Sequence, residues 1–303
     1  MSFRTPSSVF TRDALLGLQR LNEHISILNK QISTGSRLIR TADDPSGAAL
    51  VVDMKASIGA NSQYLEQITN AMGFLQETEQ VTSTLTEGLM RLGELAARAQ
   101  DPTLTAGARA AMGAEIDGIR TNFISYANTK AQGKYLFAGS RTQTIPFSGP
   151  AAGPIVYAGD SNAISVDVGP SRSVDTNVAG DTLFFGAGGQ GSATDLFQQV
   201  TDFRDAINTN NIPAMQTAIT NLNTIFDQVG VVTTDIGGRQ NSLLQLKDTL
   251  ETFNLTLQGV QNSVEDLDYP KAITDFTNAQ TAQSATLSTL ARVNQKNLFD
   301  YLA

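Results

Sequence analysis

The sequence has no cysteine, no tryptophan and a single histidine, His24, among 303 residues. Without cysteine there is no disulfide scaffold, no thiolate metal site and no cysteine nucleophile. One histidine cannot build a usual zinc centre, and His24 is assigned to the surface or the edge of a helical seam. Charge is also scarce, at 17% of residues, so Ser, Thr, Asn and Gln supply most of the polarity. The net charge is −8. No cluster of Lys and Arg is present to neutralise a phosphate backbone, so no nucleic-acid partner is expected. Long apolar runs are missing as well. Arg12, Asp13, Gln19, Arg20 and Glu23 interrupt the start of the chain, which does not read as a signal peptide. No segment reads as a membrane span. Neither a membrane partner nor a cofactor is expected, and any export would use a route without a cleaved signal.

What the sequence does have is apolar periodicity. Ala14, Leu18, Leu21, Ile25, Leu28 and Ile32 follow at alternating steps of four and three, the heptad stripe by which one helix buries a seam against another. Gly35 ends it. Asp43 or Asp44 is predicted to cap a second helix, with Pro45 in its first turn. The stripe resumes at Met54, Ile58, Asn61, Leu65, Ile68, Met72 and Leu75. It slips near Thr78 and continues through Leu85, Leu89, Leu92, Ala96 and Ala99 until Asp101-Pro102 stops it. Met112, Ile116, Ile119, Phe123 and Tyr126 mark a third helix, expected to fold back antiparallel.

From Gly133 to Gly191 the texture changes to Gly, Pro and short β-prone runs: Tyr135 to Phe137, Ile155 to Tyr157, Ile164 to Val168 and Leu183 to Phe185. Turn residues separate them, which predicts a small inserted β-rich domain. Helical pattern returns at Asp195. Pro213 opens a stripe from Met215 to Leu267 that would be about 80 Å long as one helix, too long for a compact core. Gly237-Gly238 interrupts it and is expected to mark a close crossing or a hinge, since each costs up to about 1 kcal/mol there. After Tyr269-Pro270, Ile273, Phe276, Gln280, Gln283, Leu287 and Leu290 form a last stripe, followed by Leu298 and Leu302. The expected fold is mainly α, a long antiparallel coiled-coil bundle drawn from both chain ends around the β-rich insert.

Candidate chemistry is thin. Asp43-Asp44 could be paired carboxylates, but neighbours in sequence rarely aim at one atom, and the following Pro makes them a cap. Glu265, Asp266 and Asp268 lack the Gly turn and final Glu of a calcium loop and read as a solvated helix end. Gly186 to Gly191 matches G-x-G-x-x-G. A dinucleotide site, however, needs a second parallel strand after its helix, and here another helix follows. The run reads as a flexible connector, and an enzyme reading has little support.

Ser33-Thr-Gly-Ser-Arg37 leading to Asp43-Asp44-Pro45-Ser46-Gly47 resembles the N-terminal block of bacterial flagellins and hook-associated proteins. Gly237-Gly-Arg239-Gln-Asn241-Ser is similar to their C-terminal block. Gly133-Lys-Tyr-Leu-Phe137-Ala-Gly139 with Pro146-Phe147, Ile155-Val-Tyr157-Ala-Gly159-Asp160, and the ending Asn297 to Ala303 resemble the hook-associated branch. The resemblance implies a structural subunit of the flagellum at the junction of hook and filament, exported unfolded and located outside the cell. Implied partners are the first hook-associated junction protein, flagellin, further copies in a ring or helical layer, and an export chaperone. A filament flagellin is the alternative. Residues 89–98 resemble the flagellin stretch sensed by innate immune receptors, although packing alone explains Leu89 and Leu92.

The chain is accordingly divided into an N-terminal assembly helix (1–40), two bundle halves (41–132 and 193–268), a β-rich outer domain (133–192) and a C-terminal assembly helix (269–303). The expected assembly seam is Leu18, Leu21, Ile25, Leu28 and Ile32 with Phe276, Leu287, Leu290, Leu298 and Leu302. Both terminal helices are short enough to be marginal alone in water and are expected to order on assembly.

Overall fold

The computed structural model describes residues 7–150 and 153–302, with the side chains of residues 7, 8, 10, 11 and 293–302 outside the described set. Six helices carry the fold: α1 (Ser7–Thr34), α2 (Pro45–Ala99), α3 (Ala106–Ala127), α4 (Leu196–Asn208), α5 (Ile212–Glu265) and α6 (Tyr269–Leu302). Between α3 and α4 lie three two-stranded antiparallel ladders. They pair β1 (Lys130–Ala131) with β2 (Lys134–Tyr135), β3 (Phe147–Ser148) with β4 (Val156–Tyr157), and β5 (Ser165–Gly169) with β6 (Arg172–Asp175).

Helix starts follow side-chain chemistry. Asp44 Oδ1 accepts from the Gly47 N–H at 2.9 Å, so of the two carboxylates expected at this start, Asp44 is the cap. Asp43 instead accepts the Arg40 N–H within the turn. Thr105, Asp195, Asn211 and Asp268 do the same for α3, α4, α5 and α6. Each satisfies an amide that the first helical turn leaves without a partner.

The chain forms two compact units: residues 1–60 with 252–303, and residues 61–251. In the larger, α2 to α5 share one apolar core with the middle segment. Gly88 of α2 abuts the ring of Phe123 on α3, and Arg91 pairs with Glu115, the antiparallel return that the stripes predicted. The slip near Thr78 is not a slip. Leu75, Thr78, Thr82, Leu85, Leu89 and Leu92 are all buried and keep three–four spacing. The Thr78 and Thr82 hydroxyls donate to the carbonyls of Phe74 and Glu79, so two polar residues occupy seam positions without a free hydroxyl.

The middle segment is held by aromatic rings as much as by its short ladders. Phe147 packs against Tyr157, Phe184, Phe185 and Phe197 with centroids 4.9–5.7 Å apart, geometry that contributes beyond simple area burial. Leu183-Phe184-Phe185, expected as a strand, belongs to a π-helical turn, Asp181–Phe185. That turn buries all three side chains at once, whereas an extended strand would send alternate residues to opposite faces.

Gly186 to Gly191 also differs from the flexible connector expected. It is a series of hydrogen-bonded turns, with Gly189 N–H bonded to Gly186 O and Ser192 N–H to Gly189 O. The Gly188 N–H donates to Thr194 Oγ1 and the Gly191 N–H to Asp195 Oδ2. The amides that would face a phosphate at the start of α4 are taken by Asp195, which also accepts from Phe197 and Gln198.

Among the described residues no helix is long and apolar enough to cross a membrane, and no group of three or more metal-ligating side chains gathers.

Candidate assembly surface

The smaller unit brings the two chain ends together. α1 packs along α6. From α1, Leu28 is buried, while Leu18, Leu21, Ile25 and Ile32 are half-buried. His24 is exposed. From α6 the inward positions are Ala272, Phe276, Ala279, Gln283, Thr286 and Leu290, again at steps of four and three. Gln283 Nε2 donates to Asn22 Oδ1 across the pair. The sequence stripe shares Phe276, Gln283 and Leu290 with this face but assigns Ile273, Gln280 and Leu287 to the other seam positions. Those belong one residue earlier, to Ala272, Ala279 and Thr286. Small side chains there let α6 approach α1, and the larger neighbours turn outward: Ile273 is 52% exposed and Leu287 50%. The side chains of Leu298 and Leu302 lie outside the described residues.

The turn between α1 and α2 is clasped to the turn between α5 and α6. The Arg37 N–H donates to Glu265 O at 2.8 Å and the Leu267 N–H to Gly35 O at 3.0 Å, a short antiparallel bridge around Ser36 and Asp266. Arg37 adds side-chain bonds to Val264 O and to Asp44 Oδ2 at 3.1 Å. Lys55 on α2 pairs with Glu265 at 3.1 Å. Gly35 has φ +72°, and a Cβ there would sit 2.8 Å from the Tyr269 hydroxyl, so both backbone and space call for glycine. Hydrogen bonds to the Gly47 amide, Ser46 and Arg37 hold the Asp44 carboxyl below its usual range. Gln261 and Lys55 do the same for Glu265. The two sequence blocks on which the N-terminal resemblance rests are thus the residues that form this clasp. The Asp43, Asp44, Glu265 and Asp268 carboxylates are spent on caps, turns and ion pairs rather than gathered at a reaction centre.

The C-terminal block works in the larger unit. Arg239 Nη1 donates to the carbonyls of Asp175 and Asn177 at 3.1 and 3.2 Å, Gln240 to Glu79 on α2 at 2.9 Å, and Arg172 to Ser242 at 2.8 Å. One turn of α5 therefore ties the β5–β6 ladder to the bundle. Gly237 and Gly238 sit beside it in an unbroken helix, and a Cβ at either would meet nothing within 4 Å. Among the described residues nothing crosses closely at this pair, and nothing in the structure explains the two glycines.

Apolar side chains remain uncovered around the smaller unit: Leu15 and Leu16 on α1, Leu50 and Val52 on α2, Phe253 and Leu255 on α5, besides Ile273 and Leu287. Sequence stripes alone did not separate covered seam positions from uncovered ones. The signal that could have done so is Ala272 and Ala279, small residues at heptad spacing.

A paired set of terminal helices, clasped at their inner ends and carrying uncovered apolar side chains at Leu15, Leu16, Ile273 and Leu287, has the form of an α-helical assembly subunit. Residues 9–142 match the family model for the bacterial flagellin N-terminal helical region, and residues 212–302 match the bacterial flagellin C-terminal helical region. The chain belongs to the bacterial flagellin family. It is 28% identical over 290 residues to the flagellar hook-associated protein 3 of Escherichia coli K12, covering 89% of this chain and 90% of that protein. It is 27% identical to the Salmonella typhimurium protein of the same name, covering 90% and 91%. The fold is shared with the flagellar junction protein FlgL from Legionella pneumophila, with a TM-score of 0.57 at 18% identity, over 73% of this chain and all of that one.

Proposed function

We propose that this chain is a non-catalytic structural subunit of the bacterial flagellum that joins the hook to the filament. The observation that carries the reading is the uncovered apolar surface of the smaller unit, where Leu15, Leu50, Phe253, Leu255, Ile273 and Leu287 face outward around α1 and α6. Large apolar side chains left exposed on several neighbouring helices fit a surface that another protein covers. Neighbouring helices would cover it in the polymer, so that ordering of α1 and α6 is coupled to assembly. The seam residues Leu18, Leu21, Ile25, Leu28, Ile32, Phe276, Leu290, Leu298 and Leu302 would hold the terminal pair, with Leu287 among the contacts to the next subunit.

The partners proposed are the first hook-associated junction protein on the hook side, flagellin on the filament side and further copies in a ring or helical layer, with a chaperone before export. The site of action is outside the cell, reached without signal cleavage. Residues 1–40 and 269–303 serve as the assembly helices, and 133–192 faces outward. The likeness to two hook-associated protein 3 chains supports the junction role, and a polymerisation assay separates it from a filament role.

The test is a binding and polymerisation assay. The purified chain should decorate hook fragments only when these carry the first junction protein, and the decorated fragments should then seed flagellin growth. Bulk filament formation by the purified chain alone would overturn the junction reading in favour of a flagellin.

A further inference from the structure

A cavity of about 240 Å³ lies in the larger unit between α2 and the β1–β2 and β5–β6 ladders. Its walls are mostly apolar, formed by Ala71, Phe74, Leu136, Ile164 and Val166. Lys134 and Asn70, both exposed, stand at its rim.

Three polar residues in the wall are already engaged. The Thr78 hydroxyl donates to Phe74 O and that of Thr176 to Ile164 O at 3.0 Å. Asn177 accepts from the Ile164 N–H and donates to Asn162 O. One atom differs. Gln67 lines the cavity, and its Oε1 is buried with no hydrogen-bond donor from the protein. Leaving a buried acceptor without a donor costs about 1–3 kcal/mol.

A water at Gln67 Oε1 would have to find its remaining hydrogen bonds elsewhere, since a buried water makes about three and the Thr78, Thr176 and Asn177 side chains already bond within the protein. Volume points the same way, since a cavity of roughly 150 Å³ is enough to hold benzene.

From this geometry we infer that the cavity is a binding site for a small uncharged aromatic molecule carrying one N–H or O–H donor, which Gln67 Oε1 accepts. The ring packs on Phe74, Leu136, Ile164 and Val166, and the single donor selects among molecules of equal size. Assembly at the terminal helices does not use this site, and the inference stands whether or not the junction role holds.

Indole, phenol and toluene are the probes, titrated into the full-length chain while the methyl resonances of Leu136, Ile164 and Val166 are followed by NMR. Indole and phenol should shift those methyls, with toluene binding about five-fold more weakly, the worth of one net hydrogen bond. Gln67→Met keeps the volume and removes the acceptor, so it should bind all three equally. Asn70→Trp, at an exposed rim position, should block all three while leaving the core intact. Absence of methyl shifts at millimolar probe, equal affinity of phenol and toluene for the unaltered chain, or retention of the phenol preference in Gln67→Met would each overturn the assignment.

Discussion

Arg37 donates through both Nε and Nη2 to the main-chain oxygen of Val264, 3.2 and 3.0 Å away and 227 residues distant in sequence. That one side chain joins the turn after α1 to the end of α5, and its second partner, Asp44, starts α2. Removing it leaves the Val264 carbonyl to water and the bridge around Ser36 and Asp266 with backbone bonds only. Arg37→Ala should lower the stability of the smaller unit by about 1 kcal/mol, since the side chain is half exposed. Arg37→Lys, which cannot make the forked contact, should recover less than half. Hydrogen exchange at the Arg37 and Leu267 amides reads this directly: faster in both variants, most in Ala.

The clasp should also loosen in acid. Asp44 and Glu265 have carboxyl pKa values held below their ordinary 3.8 and 4.5. A depressed folded-state pKa contributes stability that is complete above the ordinary value and is lost as pH falls through the lowered one. Asp195 works in the opposite sense. Burial raises its pKa, so its contribution to stability declines as pH rises through the interval above 3.8. On acidification below about pH 4.5, exchange at the Leu267 and Gly47 amides should accelerate before exchange in α4 does. Simultaneous acceleration would contradict this order.

Asp195 is 3% exposed and serves three amides, those of Gly191, Phe197 and Gln198. Asp195→Ala should cost about 1–3 kcal/mol in thermal or urea unfolding of the chain. Asp195→Asn can still cap α4 through its amide oxygen but cannot accept from Gly191, so it should fall between the two. If Asn behaves like Ala, the cap to Phe197 and Gln198 is not what the carboxylate contributes.

Gly139 has φ +63°, and a Cβ there would lie 2.0 Å from Asp160 O. The neighbouring Ser140 N–H and hydroxyl both bond to the Asp160 carboxylate. Gly139→Ala should therefore destabilise the middle segment by about 2–4 kcal/mol, seen as loss of the near-ultraviolet tyrosine signal from Tyr157. An unchanged spectrum and melting point would show that this turn has more room than its geometry allows.

Much of this was legible in the sequence, and the misreadings share a cause. The α1 stripe, the cap at Asp44 and the return of α3 onto α2 follow from residue types whose preferences agree with their surroundings. The break at Thr78 is a misreading, because a threonine that bonds its own helix's carbonyls packs much as an apolar residue does. Leu183 to Phe185 were misread because three adjacent apolar residues suit either a strand or a tight helical turn, and the ring cluster around Phe147 decides between them. On α6, the preference for large apolar residues chose Ile273 and Leu287 over Ala272 and Thr286, although the smaller residues set the approach to α1. Gln67 gave no signal at all, because its buried oxygen depends on strands that come together only in the fold.

On the proposed reading, the uncovered apolar side chains of α1 and α6 are covered only in the assembled flagellum. Hydrogen exchange of the free chain and of the chain assembled on hook fragments measures it most directly. Protection across α1 and α6 should be weak in the free chain and strong at Leu15, Leu16, Ile273 and Leu287 after assembly, with α2 and α5 of the larger unit changing little. Equal protection of α1 and α6 in the two states would contradict it.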